Sequence, residues 1–183
     1  MNEMNRVTYR LGCKEIRMHI EEIKESKIKK QVSREILEGL PAWFGIPEST
    51  EEYIEDSSHM PFWAVLEGET TIGFIAIKQH SEDAAEVYVM GVKEVYHSQG
   101  IGKMLMEECF KFCLDRGIAF LQVKTLDESH PDRHYAKTRA FYKKMGFKKL
   151  EVLSTLWGEA NPCLVMIKYI DSYEGEKNEV SNF

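Results

Sequence analysis

The segment from Glu86 to Arg116 constrains this chain more than any other. Glu86 to Val92 is rich in β-branched and aromatic residues and reads as a strand. The turn after it holds Gly100 and Gly102, and a helix is predicted from Gly102 to Arg116. Leu105, Cys109 and Phe112 share one face of that helix, and Gly117 stands where a left-handed C-cap residue belongs. A helix start leaves backbone amides without partners and carries a partial positive charge. Glycine lets the backbone come close to a ligand. Such a strand, loop and helix suit a phosphate or pyrophosphate. Two glycines before a helix also fit a tight turn that merely packs the helix on the sheet. The Walker pattern is missing, and a dinucleotide fingerprint would need a third glycine.

The rest of the chain bounds the setting. Its 183 residues suffice for one core, and 43% hydrophobic with 30% charged residues is a globular composition. A net charge of −6 argues against a nucleic-acid partner held by a basic surface. Cys13, Cys109, Cys113 and Cys163 have no zinc or redox spacing, so no metal is expected; they read as apolar fillers in a reducing compartment. Met1 to Arg10 lacks the apolar run of a signal peptide, and no apolar stretch approaches the roughly 20 residues that span a bilayer. The expectation is a cytoplasmic protein without a membrane partner.

Val7–Tyr9 and Ile16–Ile20 both resemble short strands, and either could open a sheet. Ile28, Val32, Ile36 and Leu40 predict a helix ended by Gly39 and Pro41. The apolar loop Trp43 to Pro47 precedes an acidic run, Glu48, Glu51, Glu52, Glu55 and Asp56, with Ser49 or Thr50 as a helix cap. That run reads as a solvated face or as one wall of a site for a cation. Phe62–Leu66 and Ile72–Ile77 predict a hairpin, Ile118–Thr125 a buried strand, Tyr135–Lys144 a helix closed by Gly146, and Phe147–Leu153 and Cys163–Ile170 the last strands. This order predicts one mixed α/β sheet, with residues 1–172 as a single domain and 173–183 as a polar tail.

The loop reads His97-x-x-Gly100-x-Gly102. About forty residues on comes Thr138-Arg139-Ala140-Phe141-Tyr142-Lys143-Lys144-Met145-Gly146-Phe147. Together, in this order, they resemble the two signature segments of the GNAT superfamily of N-acetyltransferases. His97 replaces the usual Arg or Gln, Thr138 the usual Ala, and Tyr135 a common Asn. The likeness runs from about Ile16 to Tyr169. It implies an α/β fold: a mixed, mostly antiparallel, twisted sheet of six to seven strands flanked by helices, with a splayed central strand. It implies acetyl-coenzyme A as co-substrate and an amine of a small molecule or peptide as acceptor. A homodimer is in keeping with relatives of this kind.

The resemblance also assigns roles. Backbone amides of Gln99, Gly100, Ile101, Gly102 and Lys103 would meet the pyrophosphate, with His97 and Ser98 completing the cofactor-binding loop. Gly91 or Val92 would offer an amide at the end of the splayed strand. Tyr135, Thr138 and Lys144 would line the cofactor side. Tyr142 would donate a proton to the departing sulfur, and Glu86 would act as base, with an exposed strand-start glutamate as the plainer reading. Trp43, Phe44, Tyr88 and Asp127 would shape the acceptor side; Tyr88 shares a face with Glu86 by two-residue alternation. The alternatives are a module that binds coenzyme A or an acyl-coenzyme A without turnover, and a domain that has lost the cofactor.

Overall fold

The computed structural model describes residues 6–11 and 14–171. Cys13 and the tail 173–183 lie outside the described residues. Eight strands form one sheet: β1 (Arg6–Leu11), β2 (Lys14–Glu22), β3 (Phe62–Glu67), β4 (Thr70–Gln79), β5 (Ala84–Val92), β6 (Phe120–Leu126), β7 (Lys148–Leu153) and β8 (Cys163–Tyr169). Their order is β1-β2-β3-β4-β5-β6-β8-β7, and every neighbouring pair is antiparallel except β5 with β6. The architecture is the expected one, with one strand more than the six to seven read from sequence. Both N-terminal candidates enter the sheet, as a hairpin from Arg6↔His19 to Leu11↔Lys14.

Four helices cover the sheet: α1 (Ser26–Glu38), α2 (Pro47–Ser57), α3 (Ile101–Asp115) and α4 (Arg133–Lys144). Helices α1 and α2 bury Val32, Ile36, Leu37 and Ile54 against Phe62, Phe74, Ala76 and Val89. On the opposite face α3 buries Leu105, Cys109, Phe112 and Cys113 against Ile75, Val87, Leu121 and Val123. Ile28 is exposed, because a strict four-residue repeat drifts around a 3.6-residue helix; Leu37 takes the inward place. Pro47, not Ser49 or Thr50, opens α2, since its fixed φ and missing N–H suit the first helical position. Thr50 Oγ1 instead donates to the carbonyls of Ile46 and Phe44. Among the described residues no helix is long and apolar enough to cross a membrane.

One glycine fixes how closely α1 approaches β5. A Cβ on Gly91 would lie 2.7 Å from Ile36 Cγ2, 3.3 Å from Phe74 Cε1 and 3.4 Å from Leu40 Cδ1. Gly91→Ala is therefore expected to destabilise the fold by about 1–3 kcal/mol through overpacking, read as a lower midpoint in urea.

Candidate active site

Strand β5 ends in a short 3-10 turn, Glu94–Tyr96, and the chain then turns sharply. Ser98 sits at φ 63° and Gly100 at φ 88°, both left-handed, and α3 begins at Ile101 without a side-chain cap. The first helical bond runs from the Met104 amide to the Gly100 carbonyl, so the amides of Ile101, Gly102 and Lys103 meet no acceptor among the described residues. A Cβ on Gly100 would meet nothing within 4 Å, which leaves open space directly before these donors. Gly102 has a different duty. A Cβ there would lie 3.2 Å from the Phe141 ring, so this glycine lets α4 pack on the start of α3.

The side chains of the loop hold it rather than reach outward. His97 Nε2 donates to the Val92 carbonyl at 2.7 Å, and Gln99 Nε2 donates to the Val95 carbonyl at 2.8 Å. Lys103 is exposed and pairs with Glu107 at 3.4 Å, and Lys144 is exposed in the last turn of α4. An anion at this place would meet backbone amides rather than these side chains.

The sheet opens beside this loop. Strands β5 and β6 pair only from Ala84↔Phe120 to Val87↔Val123, although they continue to Val92 and Leu126. The parting coincides with a bulge: Ala76 faces Val89 and Ile77 faces Val87, so Tyr88 is the extra residue. A bulge bends and twists its strand, and here it turns β5 away from β6. The Lys93 amide bonds the Ile72 carbonyl in β4. By alternation Gly91 turns its backbone to β4 as well, while Val92 turns to the opening. Of the two residues named from sequence, Val92 has the amide that faces the gap. On β6 just beyond the parting, Thr125 is 1% exposed and its Oγ1 has no partner among the described residues. A buried hydroxyl without a partner is costly, and it marks a place where a ligand would supply one.

Helix α4 lines the far side of the gap. Asp132 caps it, accepting from the amides of His134 at 2.7 Å and Tyr135 at 3.0 Å; those backbone bonds hold its carboxyl below the usual range. At the other end Gly146, at φ 92°, donates to the Lys143 carbonyl while the Phe147 amide donates to that of Tyr142. This is a Schellman closure, and its apolar contact is Phe147 against the Tyr142 ring at 5.6 Å. The closure fixes Tyr142 in the core facing α3, where burial pushes its phenol well above the usual value.

Trp43 joins the loop to α4. Its Nε1 donates to Thr138 Oγ1 at 3.1 Å, its carbonyl accepts from the Tyr135 hydroxyl at 2.8 Å, and its ring meets those of His97 and His134 edge to face. Trp43 thus stands with the residues read as cofactor-side. Burial pushes the Tyr135 phenol up to about 12.

The α1–α2 face of the gap is polar and aromatic. Phe44, Tyr53 and Tyr88 form an edge-to-face chain, and Tyr88 Oη donates to Asp56 at 2.7 Å. The rest of the acidic run is divided: Glu51 takes both guanidinium arms of Arg34, and Glu55 pairs with Lys30. Glu86 lies between Ala85 and Val87, which enter the opposite core, so its side chain is on this face. It is 4% exposed. Three groups converge on its Oε2: Lys124 Nζ at 2.7 Å, His80 Nε2 at 2.8 Å and Gln122 Nε2 at 3.1 Å. The exposed strand-start reading is thereby excluded. Asp127 turns into its own loop, where its carboxylate caps the Ser129 amide.

The fold therefore places Glu86 and Tyr88 on the α1–α2 face of β5, Val92 at the parted end of that strand and Gly100 at the start of α3, with Tyr142 in the core on the opposite face. His80, Gln122, Lys124, Thr125 and Asp132 escaped the sequence reading. Leu121-Gln122-Val123-Lys124 alternates apolar and polar, which signals a strand with one polar face.

Comparison with known proteins agrees with this fold. The family model described as "Acetyltransferase (GNAT) domain" matches residues 58–149, half of the chain. A mycothiol acetyltransferase of Corynebacterium glutamicum is 34% identical over 55 residues, 30% of this chain and 18% of that protein. The aligned region thus covers less than a third of such curated relatives' length. A solved Desulfovibrio desulfuricans protein assigned to the GNAT family superposes with TM-score 0.71 at 18% identity, over 84% of this chain and 99% of that one. The ribosomal-protein-S18-alanine N-acetyltransferase of Escherichia coli gives 0.66 at 16% identity, over 91% and 99%. An aminoglycoside 6'-N-acetyltransferase complexed with coenzyme A gives 0.63 at 22%, over 83% and 97%.

Proposed function

Because the chain belongs to the GNAT acetyltransferase family, we propose that it transfers an acetyl group from acetyl-coenzyme A to an amine by direct attack within a ternary complex. One observation carries this reading. Strand β5 parts from β6 just before the loop whose free amides open α3, and it carries Glu86 on one face while Tyr142 packs in the core of the other. The orphaned Thr125 hydroxyl and the open space at Gly100 fit a bound pantetheine and pyrophosphate.

Acetyl-coenzyme A supplies an activated acyl carbon and a thiolate leaving group. The amides of Ile101, Gly102 and Lys103 bind the pyrophosphate, helped by the helix dipole. The Val92 amide donates to the thioester oxygen or the pantetheine arm, where negative charge develops. The acceptor enters from the α1–α2 face, past Tyr88 and Asp56. An alkylammonium, with an ordinary pKa near ~10.4, must lose a proton before it can attack, and Glu86 takes that proton directly or through water. Tyr142, on the opposite face, donates to the sulfur. A small-molecule or peptide amine is the acceptor this reading implies. Aminoglycosides and a ribosomal protein are acceptors in the names of the structural neighbours. The buried thiols of Cys109, Cys113 and Cys163 suit a cytoplasmic setting.

Glu86→Gln tests the base. Activity is expected to fall by about a hundredfold at neutral pH and by less at high pH, where more acceptor is already neutral. The pH–rate profile of thiol release checks this; an unchanged profile removes Glu86 from the mechanism. Binding of acetyl-coenzyme A without thiol release, across a panel of amines, would favour a non-catalytic binding module.

A further inference from the structure

Helix α4 carries a buried cation that the reaction proposed above leaves unused. Arg139 is 8% exposed and lies on the inner face of the helix, between Tyr135 and Tyr142 at helical spacing. The backbone shows where its head sits. Strand β5 leaves β6 after Val87↔Val123, whereas β8 stays with β6 to Leu126↔Cys163. The Asp127 amide donates to the Pro162 carbonyl on the β8 side. In a planar trans peptide the carbonyl points opposite to the N–H, so the Leu126 carbonyl points to the side that β5 has left. Arg139 Nη1 donates to that carbonyl at 2.8 Å and to the Asp127 carbonyl at 3.3 Å. The guanidinium therefore stands at the parted end of β6, in the β5–β6 gap.

No anion meets it there among the described residues. Asp127 caps the Ser129 amide, Glu128 pairs with Lys149, and Asp132 caps α4. Glu86 takes its donors from Lys124, His80 and Gln122. Lys29, the other buried cation among the described residues, differs, because the Glu22 charge acts on it. The two carbonyls occupy Nη1, and Nη2 and Nε have no partner among the described residues. A buried charge without a counter-charge is costly. The Nη2–Nε edge is a planar fork that matches a carboxylate with two parallel hydrogen bonds. We propose that this edge of Arg139 holds a carboxylate of the substrate, which makes Arg139 a specificity-determining residue; the proposal rests on acyl transfer in the gap. The carboxylate has two possible sources. An amino acid or a peptide end brings it on the acceptor, and a dicarboxylic acyl thioester brings it at the end of the acyl chain.

The test has two arms, both run first on the wild-type chain. One compares amino acids with the matching amines that lack the carboxylate, with acetyl-coenzyme A as donor. The other compares malonyl- and succinyl-coenzyme A with acetyl-coenzyme A on one amine. In one arm the substrate with the carboxylate is expected to be favoured at least about tenfold in kcat/KM, and that arm names the source. Arg139→Lys keeps the charge and loses the fork; Arg139→Gln keeps N–H donors for the two carbonyls. Both are expected to lose the preference, chiefly through a higher KM for the carboxylate substrate. A merely structural Arg139 would slow all substrates alike and leave the ratio as it was. Equal kcat/KM with and without the carboxylate, in both arms of the wild type, overturns the proposal whatever the variants do. A preference that survives in both variants does so too. Either failure leaves acetyl transfer standing. A wild-type chain that acylates no amine from any donor overturns the proposed function instead, and calorimetry then decides the subsite. Succinyl-coenzyme A binding no tighter than acetyl-coenzyme A, with no amino acid bound by the coenzyme A complex, overturns it there.

Discussion

Gly100→Asp is expected to weaken coenzyme A binding by at least about a hundredfold, measured by calorimetry. Two effects add. Gly100 adopts φ 88°, a conformation that costs an ordinary L-residue about 1–2 kcal/mol. The side chain then projects into the open space before the amides of Ile101, Gly102 and Lys103, where a Cβ meets nothing within 4 Å. A carboxylate there faces the pyrophosphate. Like charges about 4 Å apart near a protein surface repel by about 4 kcal/mol, and each ~1.4 kcal/mol is a factor of ten in affinity. Gly100→Ala separates the terms, because it keeps the backbone strain and removes the charge; its binding should fall much less. The circular dichroism spectrum should be unchanged in both, since nothing in the fold occupies that space. Wild-type affinity in Gly100→Asp would place the pyrophosphate elsewhere.

Tyr142→Phe is the second large effect, with turnover expected to fall by about 10²–10³ while coenzyme A affinity stays nearly the same. The ring is packed against Phe141 and Phe147, and Phe keeps that packing. What is lost is the hydroxyl. Burial raises the phenol pKa, first by desolvation, so Tyr142 stays protonated across the usual assay range. An ordinary thiol, near ~8.5, is a stronger acid than such a phenol, so full proton transfer to a thiolate runs uphill. The larger contribution is a hydrogen bond to sulfur as its charge develops. The sign for pH follows: the raised phenol pKa puts its loss of protonation above pH 10, so Tyr142 imposes no basic limb below that. Steady-state rates from pH 6 to 10, with affinity measured separately, check both statements. Full turnover in the variant would assign Tyr142 to packing alone.

These two positions were also the most legible in the sequence, for local reasons. Gly100 caps a helix and Gly102 stands in its first turn, and Tyr142, Gly146 and Phe147 belong to one Schellman closure. Contacts within five residues leave a pattern that a reader can find. The two glycines nonetheless do different work: Gly100 leaves open space at the start of α3, whereas Gly102 accommodates Phe141. Glu86 was recognisable only by resemblance. Its partners come from the end of β4 and from β6, and the parallel β5–β6 pairing brings them together across a separation of up to 38 residues. Trp43 shows the same limit. Its bond to Thr138 crosses 95 residues, and an apolar loop residue carries no mark of the side it will join. The bulge at Tyr88 was hidden too, because a run of strand-forming residues does not reveal where one is left unpaired.

Acetyl transfer in the β5–β6 gap is tested most directly by mass balance in a single reaction. The wild-type chain is incubated with acetyl-coenzyme A and a panel of primary amines, and free thiol, acetylated amine and the intact mass of the chain are followed together. The predicted result is thiol and acetylated amine in equal amounts for at least one amine, with no acetyl group on the chain. Saturable binding of acetyl-coenzyme A with neither product, or acetyl accumulating on the chain before any reaches an amine, would contradict it.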